Sequence, residues 1–88
     1  MNISKSTMFK KDVDMCVARG YDLKKLKVQI EKLSNKEKLE QKHRDHKIAG
    51  KFRGHRECHI EPDWLLIYRI DFEILYLVRT GTHADLFE

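Results

Sequence analysis

Apolar residues recur at two periods along this chain, and the change of period marks a change of secondary structure. Phe9, Val13, Cys16 and Val17 fall at helical spacing, and Gly20 stands where a helix C-cap would. Asp22 then suits the N-cap of a second amphipathic run with Leu23, Leu26, Ile30 and Leu33 on one face and Lys24, Lys25, Lys27 and Lys32 on the others. The reading is a helical hairpin about Gly20 and Tyr21. Residues 34–47 are almost wholly polar with Leu39 as the only anchor, which predicts a helix end followed by a loop. Beyond Gly50, β-branched and aromatic residues concentrate in 56–60, 64–70 and 73–80, the expected strands. Ile3 offers a short N-terminal strand. The fold class is α+β, two N-terminal helices on a small antiparallel sheet, in one domain over residues 1–88.

Turn chemistry sets the expected register. Pro62 is the only proline, and Glu61-Pro62-Asp63-Trp64 places it at the second position of a β-turn. A second turn falls near Asp71 and Phe72. With that turn, Arg79 lies opposite Trp64, and His83 returns past the Pro62 turn. Side-chain alternation then places Cys58, Ile60, Leu65, Ile67, Ile74, Tyr76 and Val78 on the face toward the helices. His59, Trp64 and Arg79 share the opposite face with Leu66, Leu75 and Leu77.

Charge changes the picture at one point. The net charge of +4 hides a basic block, because residues 24–56 hold twelve Lys or Arg against four acids. Such a block suits a polyanion, though it also describes a solvated helix face. The opening residues lack the apolar run of an export signal, and no apolar stretch is long enough to span a bilayer, so the expected location is the cytoplasm. Cys16 and Cys58 read as small buried hydrophobes rather than a disulfide or redox pair.

The polar residues that converge on the Pro62 turn carry the candidate chemistry. His59, Asp63, Arg79 and His83 supply groups that titrate near neutral pH together with a fixed cation, the equipment of metal-free RNA cleavage. A base takes the ribose 2′-hydroxyl proton, the cation offsets charge on the phosphate, and an acid protonates the departing 5′-oxygen. Trp64 and Phe87 offer stacking surfaces for bases, although Trp64 serves equally as the end of the core. His55 and His59 on one strand face stand about 13 Å apart, too far for a shared zinc ion. His43 and His46 suit a metal only on a helix. No metal or cofactor is expected, and His43 and His55 are read as surface residues.

The segment 45–50 (Asp-His-Lys-Ile-Ala-Gly), the run 56–68 (Arg-Glu-Cys-His-Ile-Glu-Pro-Asp-Trp-Leu-Leu-Ile-Tyr) and the ending 79–87 (Arg-Thr-Gly-Thr-His-Ala-Asp-Leu-Phe) strongly resemble the YafQ family of bacterial toxins, in the RelE superfamily. The first half is similar only as a helical hairpin with a Phe-Lys-Lys-Asp opening. The resemblance implies a RelE-like fold and a ribosome-dependent mRNA interferase, the toxin of a type II toxin–antitoxin system. It implies a DinJ-like or RelB-like antitoxin, and the ribosome with its A-site mRNA, as partners. Carried over by position, His46, His59, Asp63, Trp64, His83 and Phe87 match the family's active-site pattern, with His83 the expected proton donor and Arg79 on the scissile phosphate. The general base stays open among His46, His59 and Asp63. In this reading Lys24, Lys25 and Lys27 dock on ribosomal RNA or meet the acidic tail of an antitoxin. The rival from another class is a ParE-like, non-enzymatic inhibitor of DNA gyrase on the same fold.

Overall fold

A computed structural model describes all 88 residues. In chain order the elements are β1 (Asn2–Lys5), α1 (Thr7–Ala18), α2 (Leu23–Ser34), β2 (His46–Lys47), β3 (Arg56–Glu61), β4 (Trp64–Asp71), β5 (Ile74–Gly81) and α3 (His83–Phe87). Two single 3₁₀ turns, Gln41–His43 and Gly50–Phe52, sit in the polar connection. No helix is long and apolar enough to cross a membrane.

The helical hairpin forms for the reasons its sequence suggests. Ser6 accepts the N–H of Phe9 at 2.9 Å and donates to the carbonyl of Val78 at 2.7 Å, so one hydroxyl starts α1 and ties it to β5. Gly20 has φ +80°, the left-handed conformation of a residue just past a helix end. Asp22 caps α2 by accepting the N–H of Lys24 at 3.0 Å. Phe9, Cys16, Leu26 and Leu33 are the buried stripe of this pair. Burial pushes the Cys16 thiol up, and that of Cys58 up to about 12, so both behave as small apolar residues.

The strands form one five-stranded sheet in the order β1-β5-β4-β3-β2. It is mixed, not wholly antiparallel: β1 runs parallel to β5, Asn2 beside Ile74 and Lys5 beside Leu77. This pairing closes β5 across more than seventy residues of sequence, and a local pattern carries no record of it. The loop expected at residues 46–47 is strand β2, with His46 opposite Glu57. The C-terminal helix was not anticipated, although Thr82-x-x-Asp85 is a capping box.

The expected register of β4 and β5 is wrong. Their turn lies at Phe72 and Glu73, both at positive φ (48° and 62°), so Asp71 pairs with Ile74. A bulge then makes Val78 an extra residue between Leu77, opposite Tyr68, and Arg79, opposite Ile67. Arg79 therefore does not face Trp64. The face assignment changes through a further irregularity, at Ile60 of β3, which sets Leu65 opposite His59 and so puts Trp64 and Leu66 on the face of Cys58. Cys58, Ile60, Trp64, Leu66, Tyr68, Leu75 and Leu77 pack on the helices, whereas Leu65 and Ile67 lie on the other face beneath Leu86 of α3, flanked by Ile48, Phe52 and Val78.

Candidate active site

The second face of the sheet carries a cluster of imidazoles and carboxylates. Glu57 and His59 alternate along β3 and point to this face, one beside Ile67 and the other beside Leu65. β2 delivers His46 opposite Glu57. The connection into β2 is fixed from below, because Asp45 accepts hydrogen bonds from Arg56 at 3.1 Å and from the buried Tyr68 hydroxyl at 2.5 Å. Desolvation, followed by the bond to Asp45, raises the Tyr68 hydroxyl above its ordinary range, so it stays a donor. His83 enters from the opposite side as the first residue of α3.

Glu57 is a site residue the sequence reading missed. Its carboxylate is 8% exposed and stands 3.3 Å from His46 Nε2 and 3.5 Å from His59 Nε2. The other nitrogen of each ring also meets an oxygen: His46 Nδ1 lies 2.5 Å from the Arg44 carbonyl, and His59 Nδ1 lies 3.2 Å from the Pro62 carbonyl. Both rings are therefore held at two points, with Glu57 common to them. The spacing Glu57-x-His59 on one strand was visible, but the β2 pairing that gives it meaning was not.

Asp63, on the Pro62 turn, holds His83. One oxygen of Asp63 accepts the His83 backbone N–H at 2.8 Å and faces ring Nδ1 at 2.5 Å. These bonds, the backbone one first, keep the Asp63 carboxyl below its usual range. With Nδ1 committed to a carboxylate, Nε2 is the ring nitrogen left for proton transfer. The His59 and His83 centroids are 5.7 Å apart, and those of His46 and His59 are 6.4 Å apart, so the three imidazoles form a continuous row. Phe87, one turn after His83, lies 6.4 Å from that ring and meets Phe52 edge-to-face at 5.6 Å.

The structure thus brings together His46, His59, Asp63, His83 and Phe87, and adds Glu57. It leaves other candidates elsewhere. Trp64 is 3% exposed in the core between sheet and helices, 4.8 Å from Tyr21, with its N–H on Thr80 Oγ1 at 2.9 Å; it offers no face to RNA. The register shift moves Arg79 to the α1 side, where its guanidinium makes bonds of 2.7 and 3.1 Å to Asp12. Lys24, Lys25 and Lys27 lie on the exposed side of α2, with Lys25 paired to Glu61. His43 is not a surface residue: it is 7% exposed and its Nδ1 donates to the His59 carbonyl at 2.6 Å, bracing β3 where β2 has ended. His55 remains in the outer loop.

Glu57, His59 and His83, from two distant segments, present ligand atoms within 4.8 Å of one another, a set with the chemistry to take a divalent cation.

A family model described as a bacterial toxin of type II toxin–antitoxin system, YafQ, matches residues 1–88. The chain belongs to the YafQ family. The mRNA interferase toxin YafQ of Escherichia coli strain K12 is 40% identical over 87 residues, covering 98% of this chain and 95% of that protein. The toxin–antitoxin complex DinJ-YafQ of E. coli contains a chain that matches with TM-score 0.90 at 40% identity, covering 99% of this chain and 97% of that one. A metal-bound toxin from Helicobacter pylori matches with TM-score 0.93 at 39% identity over 99% of both chains. The YafQ fold, with its helical hairpin on a five-stranded sheet, therefore extends over the whole of this chain.

Proposed function

We propose that this YafQ-family toxin is an endoribonuclease that cuts translated mRNA on the ribosome by metal-independent acid–base catalysis. The observation that carries the reading is the row of three imidazoles, flanked by two carboxylates, at one face of the sheet. Asp63 is committed to His83, which leaves the base to the opposite end of the row. There Nδ1 of His46 and of His59 donates to a carbonyl, which leaves Nε2 of either ring to take a proton beside the Glu57 carboxylate that offsets the charge gained, and His46 is the more exposed imidazole. The base takes the proton from the ribose 2′-hydroxyl, the 2′-oxygen bonds to phosphorus, and the bond to the 5′-oxygen breaks as His83 Nε2–H protonates it. The products are a 2′,3′-cyclic phosphate and a 5′-hydroxyl. Phe87 offers a base-stacking surface beside the acid. The resemblance gives Arg79 the scissile phosphate; in that role the RNA competes with Asp12 for the guanidinium.

The partners that follow are a cognate antitoxin of the DinJ or RelB kind and the ribosome, and the place of action is the cytoplasm. The decisive experiment compares wild type with His83→Ala, mapping mRNA 5′ ends on translated and untranslated messages. New ends on translated messages alone, absent in the variant, are expected. Equal toxicity without new ends would sink the nuclease reading in favour of a gyrase-type inhibitor. A zinc-selective chelator that leaves the Mg²⁺ of the ribosome in place is expected to leave the rate unchanged. Excess Zn²⁺ is expected to slow it, since a cation on Glu57, His59 and His83 takes the lone pairs that proton transfer uses.

A further inference from the structure

His43 holds a place in the sheet that backbone would ordinarily fill. β2 and β3 pair with His46 opposite Glu57, and the Ile48 N–H donates to the His55 carbonyl at 3.0 Å. Antiparallel ladder bonds recur at every second residue, so the same ladder carried past β2 would set the N–H of residue 44 on the carbonyl of His59. Arg44 does not supply it: its φ is 47°, in the left-handed region, and its N–H bonds back to the Gln41 carbonyl at 3.0 Å. The His43 ring, 7% exposed, stands in for that N–H. Its Nδ1 lies 2.6 Å from the His59 carbonyl, and because a carbonyl only accepts, Nδ1 carries the proton.

The bond falls where the sheet holds His59 least. On one side β2 has ended, and on the other the pairing of β3 with β4 slips at Ile60, the very next residue. Three residues after His43 stands His46, whose ring is held by the Arg44 carbonyl at 2.5 Å, and Asp45 between them is fastened to Arg56 and Tyr68. We propose that His43 is a positioning residue of the ribonuclease. It ties the segment that carries His46 to the strand that carries His59, and so sets the 6.4 Å between the two ring centroids at the base end of the row. This role rests on the ribonuclease reading and deepens it: His43 acts through its two neighbours, and an ångström of error in either ring is costly to proton transfer.

The test measures cleavage on programmed ribosomes, across a series of toxin concentrations, for wild type, His83→Ala and three substitutions of His43. In His43→Asn the amide nitrogen can stand where Nδ1 stood; in His43→Gln it falls near the place of Nε2; His43→Leu has no donor. The Asn variant is expected to keep kcat within about threefold, whereas the Gln and Leu variants lower it about ten- to a hundredfold with KM unchanged, the range of a misplaced reacting group. Long-range ¹H–¹⁵N spectra of the free toxin give a second readout: the His46 and His59 ring signals should move in the Gln and Leu variants and stay in place in the Asn variant. Thermal melts identify any variant that does not fold, and should His43→Leu be one, the Asn and Gln pair, both polar and close in size, carries the comparison. Wild-type kcat in the folded Gln variant, an Asn variant as slow as the Gln one, or ring signals that do not move would each overturn the positioning role. A raised KM at full kcat would do so too, making His43 an RNA contact. If wild type cuts and His83→Ala does not while every His43 variant matches wild type, this role alone falls; a wild type that does not cut removes it together with the nuclease reading.

Discussion

At the scale of single residues, the proposed chemistry turns on Asp63 and His83. A carboxyl held below its ordinary value contributes fully above its unfolded-state value of about 3.9, and that contribution fades only as pH falls through the lowered folded-state value. The Asp63 carboxylate is therefore ionised, and able to accept the His83 backbone N–H, from pH 5 upward. Any inflection in the cleavage rate between pH 5 and 9 belongs to other groups. Asp63→Asn is expected to lower kcat about a hundredfold, within the range of a lost acid–base arrangement, measured by single-turnover cleavage on programmed ribosomes. A retained rate would mean that the dyad does not set the acid. Trp64 tests the opposite outcome. Trp64→Phe removes the N–H donated to Thr80, whose hydroxyl also donates to the Leu65 carbonyl, so about 1–3 kcal/mol of stability should be lost in urea unfolding. A change of base preference at full stability would instead return Trp64 to an RNA-stacking role.

At the scale of elements, α3 matters most, since five residues carry both His83 and Phe87. Its capping box is reciprocal: Thr82 Oγ1 accepts the Asp85 N–H at 3.1 Å, and Asp85 accepts the Thr82 N–H at 2.9 Å. Asp85 is also gripped by Arg19 of the α1 end at 2.6 and 3.0 Å, which keeps its carboxyl well below the usual range. One carboxylate thus starts the helix that carries the proposed acid and fastens it to the helical hairpin. Gly81 completes the arrangement, because a Cβ there would stand 2.8 Å from Asp85 Oδ2. Gly81→Ala is expected to displace that carboxylate, cost about 0.5–2 kcal/mol in a thermal or denaturant melt as a lost cap does, and lower kcat more than it raises KM. Unchanged kcat in the folded variant would show that His83 is positioned by Asp63 alone.

Much of this scale was legible in the sequence. Ser6 and Asp22 cap where polar residues precede apolar periodicity, Gly20 ends α1, and the three long strands lie within one residue of their expected bounds. What failed was register. Phe72 and Glu73 lack the usual chemistry of a turn with two left-handed residues, and the Val78 bulge leaves no mark in an apolar run. The turn shifts the pairing by two residues and the bulge by one more, which takes Arg79 away from Trp64, while an equally unmarked irregularity at Ile60 turns Trp64 into the core.

For the whole molecule, charge is divided along with function. Basic residues 24–56 populate α2 and the polar connection, while the imidazole row occupies the sheet face at the end of β3. Reversing Lys24, Lys25 and Lys27 to Glu is expected to weaken ribosome binding and make it less sensitive to salt. Binding unchanged across a salt series would remove these lysines from the docking surface.

The sequence by itself determined the helical hairpin, the strands, the basic block and, through motif resemblance, the family, and it offered His46, His59, Asp63, His83 and Phe87 as candidate site residues. These follow from local period, capping chemistry and residue spacing, which a linear chain displays. Only the tertiary structure decided that Glu57 joins His46 to His59, that His43 braces the strand, that Trp64 is core and that Arg79 is held by Asp12. Each of these depends on which strand lies beside which and on the register between them, and that is settled by pairing between residues distant in sequence, not by their immediate neighbours.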